Sequence, residues 1–401
     1  MKEGDIVSDV YFDNAASTMM YPEVVDAMSE WHGYANAGSP HRVGIEAKKM
    51  ISQARSQVAE FLNCDEDQVV FTSGGSESNA TVIRGFAGNF GAGAWEKNIA
   101  ISQVEHDSVI NSAFITHKTK MFDTPWFINV GQDGKADIGD LEKLFSTRET
   151  DINLVSVMAA NNEVPAINDV KSFAELCHEH GAAFHTDCVQ AVGSIDLDTK
   201  EIGCDFLSLS AHKFHGPKGV GVLYVKDKNS LVPLIAGGEN QEHGIRGGTE
   251  NVPGIIGIGV ATRKMALEKH VFAEKISLIK HAFYSAFISF MNLHGLSEKV
   301  RFNGDFDDDR AKVYSITIDG VDAQSLVLAM SARDVFISAG SACTSTQTKS
   351  SHVLKAMGMT DEQAHNTVRV SFSLFNTILE ATYAAMVLAE CADFILKGGF
   401  Q

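Results

Sequence analysis

A lysine and an aspartate each follow a strand-like run of the chain, and together they could do chemistry. Lys213 ends the segment Ser210-Ala211-His212-Lys213 after the apolar run 205–209, and Asp187 closes an earlier run. Proteins with parallel sheets place their reactive side chains at the carboxyl ends of the strands. An amine there can form a Schiff base, and a carboxylate can keep a pyridine nitrogen protonated. The pair therefore predicts a site for pyridoxal 5′-phosphate (PLP).

The composition argues against several other classes of protein. The chain has 401 residues, 44% of them hydrophobic, and its net charge of −18 opposes a broad footprint on nucleic-acid phosphates. The sequence shows no apolar run of membrane-spanning length and no secretory signal, so we expect a cytoplasmic protein without membrane or direct nucleic-acid binding. Its six cysteines lack CxxC pairs and finger spacing, which predicts no metal site.

Helix and strand patterns alternate along the chain. Helix spacing occurs over residues 44–62, 170–180 and 260–291, and strand-like runs occur over 69–71, 98–102, 154–158, 182–185 and 206–209. A further run at 219–225 is expected to be antiparallel. This order predicts an α/β fold with a mostly parallel, helix-covered sheet. We expect a large PLP-binding domain over 15–260 and a smaller α+β domain formed by 1–14 and 261–401.

One strand-to-helix junction in the predicted large domain could bind an anion. The run 69–71 ends in Thr72-Ser73-Gly74-Gly75-Ser76-Glu77-Ser78-Asn79. Free backbone N–H groups and the positive end of a helix converge at such a junction. We therefore expect it to bind the cofactor phosphate.

Several motifs agree with one family in both order and spacing. They are Phe71-Thr72-Ser73-Gly74-Gly75-Ser76-Glu77-Ser78-Asn79, Glu105-His106, Asn161-Asn162-Glu163, His185-Thr186-Asp187, Ser210-Ala211-His212-Lys213, Arg246-Gly247-Gly248-Thr249-Glu250-Asn251 and Gly340-Ser341-Ala342-Cys343-Thr344-Ser345. With these motifs the chain resembles the cysteine desulfurases of the class V aminotransferase group. That resemblance implies the fold of the fold type I PLP enzymes over nearly the whole length.

The resemblance also implies a role for each matching position. Lys213 would hold PLP and later move protons, Asp187 would pair with the pyridine nitrogen, and His106 would stack on the ring and act as an acid/base group. Gln190 and Asn162 would reach the ring hydroxyl side. The phosphate would be bound by Gly75, Ser76, Ser210, His212 and, from the partner subunit of a homodimer, Thr249.

Cys343 separates this chemistry from that of other PLP enzymes. It lies in a small, polar segment with few bulky apolar residues, which is typical of a loop that packs poorly. Its thiolate would take the sulfur of L-cysteine as a persulfide, releasing L-alanine. Arg369 matches the family arginine that binds the substrate carboxylate, a task that suits its planar fork. Asn14 is expected in the same pocket.

Three functions remain open from the sequence. A desulfurase would pass sulfur to an acceptor protein for iron–sulfur clusters, tRNA thiolation or DNA phosphorothioation. Another PLP reaction, such as transamination or selenocysteine lysis, would not need Cys343. A non-enzymatic docking subunit is disfavoured because Lys213, Asp187 and Cys343 are all present.

Overall fold

The computed structural model describes residues 9–89, 98–121, 123–147, 151–238, 240–340 and 350–399. Its strands are β1 (Val10–Tyr11), β2 (Val69–Thr72), β3 (Asn98–Ser102), β4 (Trp126–Ile128), β5 (Ile152–Ser156), β6 (Ala183–Asp187), β7 (Phe206–Ser210), β8 (Gly221–Val225), β9 (Val300–Asn303), β10 (Val313–Ile318), β11 (Val335–Phe336), β12 (Ser338–Ala339) and β13 (Thr367–Ser371). Its α-helices are α1 (Pro22–Glu30), α2 (Arg42–Leu62), α3 (Gly75–Asn89), α4 (Asp107–Lys118), α5 (Ile138–Ser146), α6 (Val170–Glu179), α7 (Thr199–Ile202), α8 (Val252–Leu293), α9 (Ala323–Ser331), α10 (His352–Ala356), α11 (Asp361–His365) and α12 (Ile378–Leu396).

A seven-stranded sheet in the order β2-β8-β7-β6-β5-β3-β4 carries the first half of the chain. The neighbours from β4 to β7 are parallel, and β8 pairs antiparallel with both β7 and β2. Every residue of β6 except Ala183 and every residue of β7 is buried, because helices cover both faces of a parallel sheet. The predicted α/β fold and the antiparallel run at 219–225 are confirmed.

Several predicted elements have slightly different ends in the structure, and in two of them a side-chain contact explains the difference. The strand predicted at 154–158 is β5 at Ile152–Ser156, because the amide of Met158 turns away to donate to Glu105 Oε1 at 2.7 Å. The helix predicted from residue 260 begins at Val252, where the side chain of Asn251 accepts from the amide of Gly254. A proline in the first turn is compatible with this start, since its missing N–H would have no helical partner.

A second sheet lies in the C-terminal part, with the antiparallel order β12-β13-β10-β9. The N-terminal strand β1 pairs with β11, and Asp13 bridges to Ser371, so the start of the chain joins this part. The predicted boundary at residue 260 falls inside α8, and the division into domains stays a prediction. Among the described residues, no helix combines the length and apolar character that crossing a membrane requires.

Candidate active site

Lys213 and Asp187 lie at the same edge of the central sheet. Asp187 is the last residue of β6, and Lys213 ends a short 3₁₀ turn over Ala211–Lys213 that follows the adjacent parallel strand β7. The Lys213 amine donates to the carbonyl oxygens of Ala15 at 2.6 Å and Ala16 at 3.0 Å. Burial lowers the pKa of Lys213 to about 8, and the positive charge of Arg369 adds to this effect.

The Asp187 carboxylate is buried and held on both oxygens. Oδ1 accepts from the amide of Val189 at 2.9 Å, and Oδ2 accepts from Nδ2 of Asn79 at 2.7 Å. Asn79 is the last residue of the motif at 71–79, and no role was predicted for it. No local pattern could have revealed this contact, because it joins β6 to α3 through the folded sheet.

The start of α3 faces Ser210. Gly74 has a φ of +152°, and a Cβ atom there would lie 3.5 Å from Ser210 Oγ. A Cβ on Gly75 would come within 2.6 Å of Val189 Cγ2, so only glycine fits without movement. Ser76 is exposed in the first helical turn. The first N–H groups of a helix have no partner within it, which leaves them available to an anion here.

Three further residues predicted to bind the cofactor are His212, Gln190 and His106. Burial lowers the pKa of His212 to about 4, with help from the charge of Lys213, and its Nδ1 lies 3.3 Å from Ser17 Oγ. The buried Gln190 donates to the carbonyl oxygen of Ala15 at 2.9 Å, the same oxygen that Lys213 uses. His106 is exposed and is the N-cap residue of α4.

Arg369 is a buried cation with unused donors. It lies in β13, where Nη1 donates to the carbonyl oxygen of Asn162 at 2.7 Å and Nη2 donates to Asp13 Oδ1 at 2.7 Å. Its Nε has no partner within the described structure. Asn14 Nδ2 donates to the carbonyl oxygen of Ser371 at 2.8 Å, which ties the N-terminal segment to β13. Asp13 was missed by the sequence analysis, since nothing local marks it as the partner of Arg369.

Thr249 does not join this group within one chain. It is exposed and lines a separate cleft with Ser73 and Arg246, and Arg246 Nε donates to Glu77 Oε1 at 3.0 Å. This last contact connects the segment of Thr249 to the first turn of α3.

Cys343 lies outside the described residues, but the described residues near both ends of its segment lie close to Arg369. Ser338 pairs directly with Arg369 across β12 and β13. On the other side, Ser351 Oγ donates to Glu163 Oε2 at 2.5 Å, next to the Asn162 carbonyl that Arg369 contacts.

Comparisons with known proteins agree with this arrangement. The family model for aminotransferase class-V matches residues 10–383. The cysteine desulfurase IscS of Dictyoglomus turgidum is 35% identical, over 96% of this chain and 95% of its own length. The mitochondrial cysteine desulfurase of Arthroderma benhamiae is 34% identical, over 98% of this chain and 76% of its own length.

Solved structures show the same fold. A NifS-like protein superimposes with a TM-score of 0.83 at 30% identity, covering 97% of this chain and 100% of that chain. The structure titled "SspA in complex with cysteine" gives a TM-score of 0.74 at 30% identity, covering 92% of this chain and 99% of that chain. The predicted family and fold are thereby confirmed. The chain belongs to the class-V aminotransferase family, and within it to the cysteine desulfurases.

Proposed function

We propose that this chain is a PLP-dependent cysteine desulfurase that converts L-cysteine to L-alanine and carries the sulfur as a persulfide on Cys343. Family membership supports the reaction class. The observation that carries the proposal is the placement of a half-buried amine and a buried carboxylate, Lys213 and Asp187, at the carboxyl ends of adjacent parallel strands. Arg369 would bind the substrate carboxylate nearby. Its positive charge is near enough to Lys213 to lower the pKa of the amine.

The donors and acceptors of the site fit PLP. Asp187 would hold the pyridine nitrogen, since a buried carboxylate favours a proton on its partner. The amides at the start of α3, with Ser76, Ser210 and His212, would bind the phosphate. Gln190 and Asn162 would lie on the ring hydroxyl side. When bound, PLP supplies an electron sink that makes the Cα proton of an amino acid acidic.

The protein side chains then do three things. Lys213 has an amine that is partly neutral near its pKa of about 8, so it can hold the cofactor and take or return a proton at its Nζ. Arg369 has three N–H donors beyond those used on Asn162 and Asp13, and these can receive a carboxylate in a fixed orientation. Asn14 keeps the strand of Arg369 joined to the N-terminal segment.

The sulfur transfer balances without an added oxidant or reductant. The Cys343 thiolate forms a bond to the substrate Sγ, the bond between Sγ and Cβ breaks, and Cβ takes a proton to give alanine. The net change converts one thiol and L-cysteine into one persulfide and L-alanine. The persulfide then leaves to an acceptor, whose identity among the three sulfur pathways stays open; the charge of −18 favours an acceptor with a basic face.

Two further features of the protein belong to this proposal. A homodimer would let Thr249, exposed on its own chain, reach the phosphate site of the partner subunit. The cytoplasmic location stays a prediction, since the curated relatives include both bacterial proteins and mitochondrial ones.

The test compares Cys343→Ala with Cys64→Ala, a control thiol whose pKa burial raises to about 12. Wild-type protein supplied with PLP, L-cysteine and a thiol reductant should release alanine and sulfide in equal amounts. Cys343→Ala should keep the visible absorbance of bound PLP and lose sulfide release by at least about 100-fold, because burial raises the pKa of each of the other five thiols and so disfavours their reactive thiolates. Cys64→Ala should behave as wild type.

Three results would overturn the assignment. Normal sulfide release from Cys343→Ala would reject the nucleophile. Amino transfer to a keto acid without sulfide would indicate an aminotransferase. Turnover of selenocysteine that does not require Cys343, without turnover of cysteine, would indicate a selenocysteine lyase.

A further inference from the structure

We propose that Asn79 and Ser108 are positioning residues that fix the tautomer of His106, with Nδ1 as a hydrogen-bond acceptor and the ring proton on Nε2, and that they couple His106 to Asp187. The inference rests on the proposed function and deepens it, because His106 and Asp187 would both contact the ring of PLP. It rests on contacts made by Asn79 and Ser108, two residues to which the resemblance gives no role.

Four hydrogen bonds link the two groups. Asp187 Oδ2 accepts from Asn79 Nδ2 at 2.7 Å, and the same nitrogen donates to Ser108 Oγ at 2.9 Å. Ser108 Oγ lies 2.8 Å from His106 Nδ1, and the backbone amide of Ser108 donates to that Nδ1 at 3.1 Å. The connection therefore runs from β6 through α3 to the first turn of α4.

The direction of each bond follows from what each group can do. An ionised carboxylate only accepts, so the amide of Asn79 must turn its NH₂ group toward Asp187. Its second N–H then points at Ser108 Oγ, which becomes an acceptor. The hydroxyl proton of Ser108 is left for His106 Nδ1, where the backbone amide already donates. With two donors aimed at Nδ1, the ring proton belongs on Nε2.

Burial supports this assignment of the amide. Asn79 is 1% exposed, and its Oδ1 has no partner within the described structure. A buried carbonyl without a partner is normally avoided. Rotating the amide would give Oδ1 a partner in Ser108 but would place it against the carboxylate oxygens of Asp187. The orphaned oxygen is thus the consequence of holding Asp187.

This arrangement limits what His106 can do. A proton on Nδ1 would point at two donors, the hydroxyl and the backbone amide of Ser108. It would also break the N-cap of α4, in which His106 Nδ1 accepts from the Ser108 amide. The ring therefore presents Nε2 as its N–H donor, while Nδ1 is occupied as an acceptor. Any proton that His106 exchanges with a ligand would therefore pass through Nε2. Because Asn79 contacts Asp187 directly and reaches His106 through Ser108, a change at Asn79 should disturb Asp187 and His106 together.

The test is the tautomer of His106 in full-length protein carrying ¹⁵N-histidine, measured by long-range ¹H–¹⁵N NMR without PLP. His106→Gln identifies the signal. Wild type should show a bare Nδ1 and a protonated Nε2. Ser108→Ala should lower the ratio of the two tautomers about five-fold, as expected for the loss of one neutral hydrogen bond. Ser108→Thr keeps the hydroxyl and should restore the ratio, and Ser112→Ala, on the same helix, should leave it unchanged.

A second measurement tests the link to Asp187. Asn79→Ala should weaken PLP binding about five-fold or more by titration of its absorbance, and Ser112→Ala should not. A wild-type His106 protonated on Nδ1, or a tautomer ratio unaffected by Ser108→Ala, would overturn the inference. So would equal PLP affinity in wild type and Asn79→Ala. The tautomer is measured in cofactor-free protein, so it can stand or fall separately from desulfurase activity.

Discussion

The amine of Lys213 and the guanidinium of Arg369 bring like charges close together in a buried site. Removing the amine from water disfavours its charged form, and the nearby guanidinium disfavours it further. The carbonyl oxygens of Ala15 and Ala16 accept from the amine but do not neutralise it. The consequence is a lysine that can be a nucleophile at ordinary pH, whereas a surface lysine cannot.

This shift predicts how covalent capture of PLP depends on pH. The rate should follow the neutral fraction of Lys213, so it should rise as pH increases toward about 8 and level off above that value. If the reacting lysine were on the surface, the rate of PLP capture would instead keep rising toward pH 10.5, the ordinary pKa of lysine. The measurement is the rate of absorbance change when PLP is added to cofactor-free protein at a series of pH values.

A second half-buried amine supplies the control. Lys312 lines the same cavity as Lys213, and burial lowers its pKa to about 7. Its Nζ donates to the carbonyl oxygen of Val192 at 2.9 Å, which keeps it occupied. Lys312→Met should retain capture of PLP and Lys213→Ala should abolish it. Capture by Lys213→Ala at the wild-type rate would show that the wrong lysine was assigned.

At the scale of elements, an ion pair and a hydrogen bond hold the segment between β8 and α8 against the central sheet. Arg55 of α2 forms a two-pronged ion pair with Glu242, at 2.6 Å between Nη2 and Oε1 and 3.1 Å between Nη1 and Oε2. Glu242 Oε2 also accepts from the amide of Phe71 in β2 at 2.7 Å. Glu242 and His243 have positive φ values of 40° and 57°, an unfavourable backbone that these contacts stabilise.

We expect Glu242→Ala to lower the free energy of unfolding by about 3 kcal/mol, because it leaves the buried charge of Arg55 unpaired. The side chains of this pair are only 12% and 4% exposed. Glu46→Gln, which breaks the exposed pair of Arg42 and Glu46, should cost less than about 1 kcal/mol. The measurement is the denaturant midpoint of each variant.

Glu242→Ala should also weaken binding of the PLP phosphate, because Thr249 lies on the segment between β8 and α8 that Glu242 holds in place. If Glu242→Ala were no less stable than Glu46→Gln, the buried pair would not hold the segment. This outcome would leave the assignment of Lys213 and Asp187 unaffected, since those residues contact other parts of the sheet.

At the scale of the whole molecule, α8 joins the two sheets. Its 42 residues extend for about 60 Å at 1.5 Å per residue. Phe272, Phe283 and Phe287 bury their rings along it, and Phe283 packs against Phe12 and Phe372 beside β13. The strand of Arg369 and the N-terminal segment are therefore packed on one continuous core, which keeps the substrate anchor aligned with the amine.

If each active site of the dimer uses residues of both subunits, two different inactive or impaired chains should complement each other in a heterodimer. If Thr249 serves the partner subunit, a heterodimer of one Lys213→Ala chain and one Thr249→Ala chain contains one site with both defects and one intact site. Such heterodimers, purified with two different tags, should recover about half of the wild-type activity per dimer. Homodimers of Lys213→Ala should be inactive, and those of Thr249→Ala should be impaired.

If Thr249 instead serves its own chain, neither site of the heterodimer is intact. Activity that does not exceed the mean of the two homodimers would then reject sharing. Measuring heterodimers and homodimers at the same total concentration controls for dissociation of the subunits.

The sequence by itself determined the features that depend on nearby residues. The alternation of strands and helices, the parallel sheet and the positions of Lys213 and Asp187 at strand ends all follow from periodicity and turn residues, which act over a few positions. The start of α3 was predictable for the same reason, since a strand running into Gly74 and Gly75 makes a local turn. The ends of β5 and α8 were not, because side-chain contacts to Glu105 and Asn251 decide them.

The tertiary structure alone decided which side chains hold the reactive groups. Asn79 meets Asp187 across 108 positions of sequence, Lys213 meets the Ala15 carbonyl across 198, and Arg369 meets Asp13 across 356. These contacts depend on the strand order and on the return of the N-terminal segment to β13. No local pattern encodes such a pairing, because its energy is gained only when distant segments have already been brought together by the common core.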